Sequence, residues 1–103
     1  MRIITERKLR EFWQEVIGQE SITRERAMRE WMKLAKPAEW KNFVDLKETF
    51  PASDVYKNCV IFDVGGNKYR IIAKIGYRVH KIYIRFVLTH AEYDMKKWCD
   101  DCK

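Results

Sequence analysis

The sequence predicts an α+β fold, with two N-terminal helices packed on an antiparallel β-sheet and a short C-terminal helix, and three observations carry that expectation. Apolar residues recur with a period of about 3.6 through the first half of the chain and with a period of about 2 through most of the second. Turn-forming Gly and Pro fall between the periodic runs. Amphipathic helices laid on one sheet face bury both apolar sets in a single layer arrangement.

Taken in order, Met1 to Ile4 is short and largely apolar and reads as an edge strand. Thr5 suits the N-cap of a helix from about Glu6 to Ile17, with Leu9, Phe12, Trp13 and Val16 on one face and Gly18 as its stop. A second helix is expected from Ser21 or Thr23 to about Ala35. It carries Ala27, Met28, Trp31, Met32 and Ala35 on one side and Arg24, Arg26, Arg29, Glu30 and Lys33 largely elsewhere, and Pro37 closes it. Trp40, Phe43, Val44, Leu46 and Phe50 suggest a short helix, and Pro51-Ala52-Ser53-Asp54 reads as a loop. Strands follow at about Asn58 to Val64, Lys68 to Ile75 and Lys81 to Leu88, joined by turns at Gly65-Gly66-Asn67 and Gly76 to His80. The stretch from about His90 to Trp98 forms the terminal helix or turn.

The 103 residues fit one domain spanning the whole chain, and 47% hydrophobic content is enough for a core without disulfide staples. No run is long and apolar enough for a membrane span, and the basic residues near Met1 are not followed by the apolar segment of a signal peptide. Three cysteines, an odd number, fit a reducing compartment, with Cys59 as a small buried hydrophobe; a cytoplasmic location and no disulfide are expected. Cys99-Asp100-Asp101-Cys102 is one Cys-x-x-Cys pair with no second pair, a weak zinc signal, so no metal is assigned.

The net charge of +6 favours a polyanionic partner. Its distribution says more than its size. Residues 1–50 mix 11 basic with 9 acidic side chains, whereas Val64 to Ala91 contains Lys68, Arg70, Lys74, Arg78, Lys81 and Arg85 and no acid. Strand alternation places Tyr69, Ile71, Ala73 and Ile75 on one face of the middle strand and Lys68, Arg70, Ile72 and Lys74 on the other. The last strand divides likewise, Ile82, Ile84, Phe86 and Leu88 against Lys81, Tyr83, Arg85 and Val87. With the helices on the first set, Arg70, Lys74, Lys81, Tyr83 and Arg85 form a basic, aromatic face. That pattern suits RNA phosphates and bases, and it equally suits the ordinary solvated face of a sheet.

The run Ile82-Tyr83-Ile84-Arg85-Phe86-Val87-Leu88-Thr89-His90-Ala91-Glu92-Tyr93-Asp94 resembles the HigB family, a branch of the RelE-like toxins. Ala38 to Phe43, Thr49 to Asp54 and Gly66 to Ile72 agree with it, and the similarity spans about residues 1 to 97 in the family's order. The resemblance implies a RelE-like fold and a type II toxin that cleaves translated messenger RNA at the ribosome without a metal or other cofactor, so inhibiting translation. It also implies a HigA-type helix-turn-helix antitoxin as partner, with operator DNA reached only through the antitoxin complex and no membrane partner. A gyrase-targeting toxin of the same fold and a non-catalytic RNA-binding module are the alternatives.

Such a ribonuclease needs the ribose 2′-hydroxyl to attack the adjacent phosphate in line, with one proton accepted, another donated and a phosphorane-like charge held. Within the matching motif, His90 is the first candidate for proton transfer, whereas His80 sits in a turn. Arg70 matches a basic position of the wider toxin fold, and Arg85 lies on the next strand, so either suits the scissile phosphate. Tyr93 offers a ring for stacking, a hydroxyl for the leaving group, or plain packing. Lys68, Lys74, Lys81, Tyr83 and Lys96 are candidates for flanking RNA contacts. Glu92 and Asp94 read as partners for His90 or Arg85, or as caps and surface charges. His90 and Tyr93 are expected to meet Arg70 and Arg85 across adjacent strands.

Overall fold

A computed structural model describes all residues from Met1 to Lys103. The chain runs β1 (Arg2–Ile4), α1 (Arg7–Gln14), α2 (Gly18–Ala35), α3 (Phe43–Thr49), β2 (Ser53–Tyr56), β3 (Cys59–Val64), β4 (Tyr69–Gly76), β5 (Lys81–Thr89) and α4 (His90–Asp94), then a 3₁₀ helix at Lys97–Asp101. The strands form one five-stranded sheet in the order β1-β5-β4-β3-β2, antiparallel except for β1, which runs parallel to β5. The expected meander is therefore β3-β4-β5, with a further strand at each edge. β2 corrects the second half of the loop expected at Pro51 to Asp54: Pro51 and Ala52 turn, and the strand starts at Ser53. Ser53 pairs with Phe62 and Val55 with Val60, so the segment is extended by the ladder of its neighbour and not by its own apolar pattern.

The helices pack on the face predicted for them. Leu9, Phe12 and Trp13 of α1 and Ala27, Met28, Trp31, Met32 and Ala35 of α2 join Tyr69, Ile71, Ala73, Ile82 and Ile84 in one buried cluster. The helix ends differ from expectation. α1 stops at Gln14, and α2 begins at Gly18, whose φ of +68° turns the chain back early. Ser21 consequently lies inside α2, where its hydroxyl donates to the Trp13 carbonyl (2.6 Å) and satisfies the end of α1. Thr5 is not the N-cap of α1: it has φ +67°, and its carbonyl accepts from Lys8 N.

Arg24 was expected away from the buried side, yet it is only 7% exposed. Its guanidinium lies 4.2 Å from the Phe12 ring centroid and donates to the Phe12 carbonyl, Glu15 and Glu20, while Tyr69 also donates to Glu20. A charge set among apolar neighbours is tolerable because Nε and Nη1 meet two carboxylates and a carbonyl.

The opposite sheet face is not simply cationic. Cys59, Ile61 and Ile72 form a second buried cluster there with Trp98 and Cys102 of the C-terminal tail. A bulge feeds this cluster: Ile72 pairs with Phe86 and Ala73 with Ile84, which leaves Arg85 as the extra residue of β5. Beyond it the alternation slips by one, so Phe86 and Leu88 pack on the second cluster and Val87 on the first. Cys59 and Cys102 are joined in a disulfide, contrary to the expectation of none, and Cys99 is free. No helix is long and apolar enough to cross a membrane.

Candidate functional site

The segment Thr89-His90-Ala91-Glu92 has the spacing of a capping box, and it acts as one. Thr89 ends β5 and accepts from Glu92 N (3.2 Å), while the Glu92 carboxylate accepts from Thr89 N (2.9 Å). The two bonds force the chain from strand into α4 at one residue. Glu92 is thereby the cap among its expected roles. The His90 backbone N–H donates to the Lys68 carbonyl (2.9 Å), which pins the start of α4 to the turn before β4.

His90 is half exposed, with Nδ1 2.9 Å from Asp94 Oδ2 one turn on. The carboxylate thus faces Nδ1 of the ring. Asp94 is thus the acid that orients the imidazole.

One residue before Asp94, the Tyr93 ring lies 4.9 Å from the Arg70 guanidinium carbon and stacks on Trp98 with centroids 5.2 Å apart and planes 8° from parallel. Both the cation and the indole thus pack against this ring. Arg70 is on the face that strand alternation predicts, but it is 8% exposed and not part of an open surface. Nη1 donates to Asp63 and to the carbonyls of Asn67 and Tyr69 (3.1–3.2 Å), and Nη2 donates to Asn67 Oδ1 (2.7 Å). Tyr93 packs against it and Asp63 of β3 pairs with it. The guanidinium is therefore a fixed positive charge behind the phenol.

Arg85 does not join this group. Its Nε and Nη2 donate to Asp101, each at 2.7 Å, in a two-pronged pair. Those hydrogen bonds raise the Arg85 guanidinium further above its ordinary value and hold the Asp101 carboxyl below its own; Lys74 and Lys8 add to the second effect through their charge. Lys8 also donates to the Arg85 carbonyl (2.8 Å).

The other predicted contacts divide between the two ends of the sheet. Exposed Lys68 and Lys96 flank α4, the first in the turn below it and the second at φ +59° just after it. Lys74 and Tyr83 are register partners nearer the start of β5, and Lys81 sits at its first position, paired with Gly76 and Arg2. The structure thus brings His90, Asp94, Tyr93, Arg70 and Lys68 into one neighbourhood and places Arg85, Lys74, Lys81 and Tyr83 in another.

Sequence reasoning missed Asp63, Asn67, Trp98, Asp101 and Lys8. Asn67 carried a signal, since a side chain three residues before an arginine in a tight turn can reach its guanidinium. The others depend on pairings distant in sequence. No group of three or more His, Cys, Asp or Glu side chains is arranged to hold a metal ion, and Cys102 is committed to Cys59. An imidazole paired with a carboxylate, on the same short helix as a phenol that meets a guanidinium, suits proton transfer on an anionic substrate.

Residues 24–96 match the family model described as HigB_toxin, RelE-like toxic component of a toxin-antitoxin system. Among known relatives, the mRNA interferase toxin HigB of Escherichia coli (strain K12) is 44% identical over 52 residues, covering 48% of this chain and 50% of that protein. The mRNA interferase HigB of Shigella flexneri gives the same values. A second Escherichia coli protein named mRNA interferase HigB, from strain CFT073, is 28% identical over 71 residues, 66% of this chain and 69% of that protein. The chain spans about half the length of the first relatives it matches.

Proposed function

Because the chain belongs to the HigB toxin family, the RelE-like toxic component of toxin-antitoxin systems, we propose that it is an endoribonuclease that cuts messenger RNA on the translating ribosome and so blocks translation. The observation that carries the reading is the α4 constellation, with His90 oriented by Asp94 next to a Tyr93 that rests against the buried Arg70.

In this mechanism His90 Nε2 accepts the proton of a ribose 2′-hydroxyl as its oxygen attacks the adjacent phosphorus. The bond from phosphorus to the 5′-oxygen of the next nucleotide breaks, which leaves a cyclic phosphate. The Tyr93 hydroxyl supplies the proton that the departing oxygen takes up. Arg70 acts through the ring, because its own hydrogen bonds fix it and it packs against Tyr93. Lys68 and Lys96 bind phosphates on either side of the cut. Lys74, Lys81, Tyr83 and Arg85, at the far end of the basic face, contact more distant RNA or the ribosome.

These side chains carry the reaction without a metal, so cutting is expected to persist in chelator. The partner that silences the toxin is a HigA-type helix-turn-helix antitoxin, through which the pair reaches operator DNA. His90→Ala and Tyr93→Phe are each expected to lower cleavage by about 10² to 10⁴ in rate, read by mapping the cut ends of a message in translating and non-translating extracts. If both variants cut as well as the parent, this assignment of the site is wrong.

A further inference from the structure

Residues 97–103 lie beyond the stretch that matches the family model, which ends at residue 96, yet they reach the centre of the proposed site. α4 buries none of its own residues, so a five-residue helix cannot by itself fix the Tyr93 ring. Trp98 supplies what α4 lacks. It is 5% exposed, its ring lies parallel to Tyr93, its Nε1 donates to the Tyr93 carbonyl (2.9 Å), and the Tyr56 ring meets it edge-on with centroids 5.2 Å apart. Four residues on, Cys102 is fully buried and bonded to Cys59 at the start of β3. β3 thus holds the tail through Cys102 and the tail holds Tyr93 through Trp98. The same ring meets the Arg70 guanidinium, which is fixed by Asp63, also on β3.

We propose that Trp98 is a positioning residue for Tyr93, and that the Cys59–Cys102 disulfide is the clasp that keeps it seated and that a dithiol reductant opens. The effect on rate rests on the ribonuclease reading of Tyr93, whereas the effect on the ring does not. In the opening step a thiolate of the reductant attacks one sulfur of the clasp and forms a mixed disulfide, releasing the other cysteine as its thiolate. The second thiol of the reductant then displaces the mixed disulfide. Two electrons and two protons pass to the protein, Cys59 and Cys102 end as thiols, and the reductant ends as a disulfide. A clasp of this kind closes under oxidising conditions and opens in a reducing compartment.

The test uses the full chain, oxidised or treated with dithiothreitol, together with Trp98→Ala, Trp98→Phe and Cys102→Ser. Near-ultraviolet circular dichroism reads the Tyr93–Trp98 stack, far-ultraviolet dichroism reads the fold, and message cleavage on programmed ribosomes gives kcat and KM. In the oxidised parent the near-ultraviolet signal is present. Reduction, Trp98→Ala and Cys102→Ser each diminish it with the far-ultraviolet spectrum unchanged, and each lowers kcat by about 10- to 100-fold while KM stays within about twofold. Trp98→Phe keeps a flat ring against Tyr93 and restores most of kcat. Cys102→Ser combined with Cys99→Ser, which leaves Cys59 no partner in the chain, responds to neither oxidant nor reductant. The proposal is overturned if the reduced parent keeps both its near-ultraviolet signal and its kcat, or if reduction raises activity, since the tail would then be a cover over the basic face. An oxidised parent that cuts no message sinks the ribonuclease reading instead, and the spectroscopic comparison still decides the role of Trp98.

Discussion

Opening the Cys59–Cys102 disulfide should destabilise the fold by an amount that follows from its place in the chain. The crosslink spans a sequence separation of 43 residues. Closing a loop of that length removes on the order of 13 cal/mol/K of entropy from the unfolded chain, or about 4 kcal/mol at 25 °C. The native state offsets little of this, because both sulfurs sit among Ile61, Ile72 and Trp98, where thiols pack as small apolar groups. At roughly 4–8 °C of melting temperature per kcal/mol for a domain of this size, the expected drop is on the order of 15–30 °C. Thermal melts of the parent with and without reductant measure it, and Cys102→Ala, in which reductant has nothing to cleave, is the control. Urea titrations should show a steeper transition for the reduced chain, whose unfolded state is less compact. A melting temperature that reductant leaves within about 3 °C of the oxidised value would refute the loop-entropy argument and the clasp with it.

Three further outcomes follow from the bonds around α4 and α2. Thr89→Ala removes the capping box and should cost about 1 kcal/mol in denaturant titrations, while cleavage falls by more than that stability loss accounts for, because α4 carries His90 and Tyr93. Arg70→Lys keeps the charge but loses the fork shared between Asn67 and Asp63. Kinetics should show kcat down about tenfold with KM little changed, and an unchanged kcat would remove Arg70 from the positioning role. Glu20 is held below the ordinary carboxylate value, first by the Arg24 hydrogen bond and then by that of Tyr69. A lowered folded value adds stability above the unfolded pKa and loses it as pH falls through the folded one. The melting-temperature gap between the parent and Glu20→Gln should therefore be widest near neutrality and close below about pH 4, and it should be small, since Glu20 is half exposed.

The legible parts of this fold are those that repeat along the chain. The change of period between Phe50 and Cys59 located the helical layer and the meander, and alternation placed Tyr69, Ile71 and Ala73 under the helices. β2 was invisible because Ser53 to Tyr56 has no apolar stripe of its own and is a strand only by pairing with β3. Arg24 was misplaced because composition marks arginine as exposed, whereas here Phe12, Glu15 and Glu20 together make burial tolerable. The slip at Arg85 has no sequence signature, since Phe86-Val87-Leu88 offers an apolar residue to either face. At the site, Thr89, His90 and Tyr93 were legible through a local motif. Trp98 and the disulfide were not, because each links the tail to elements far back in the chain.

The second apolar cluster also bears on how substrate reaches the proposed site. Read from sequence, the face of β4 and β5 opposite the helices is one continuous basic strip. In the folded chain Trp98 and Cys102 lie over Ile72 at its middle, and Asp101 neutralises Arg85 beside them. The strip becomes two patches separated by an apolar and acidic divide. Lys68 and Lys96 stand on the His90 side, whereas Lys74, Lys81 and Tyr83 stand on the other. A phosphate chain crossing the divide would have to exchange with Asp101 in a two-pronged ion pair, one anion for another, or desolvate against a tryptophan, so the crossing gains little. An RNA strand with its scissile phosphate at His90 is therefore best held by running past Lys68 and Lys96. The Lys81 end is left for a different charge, or for the same strand once the tail has moved.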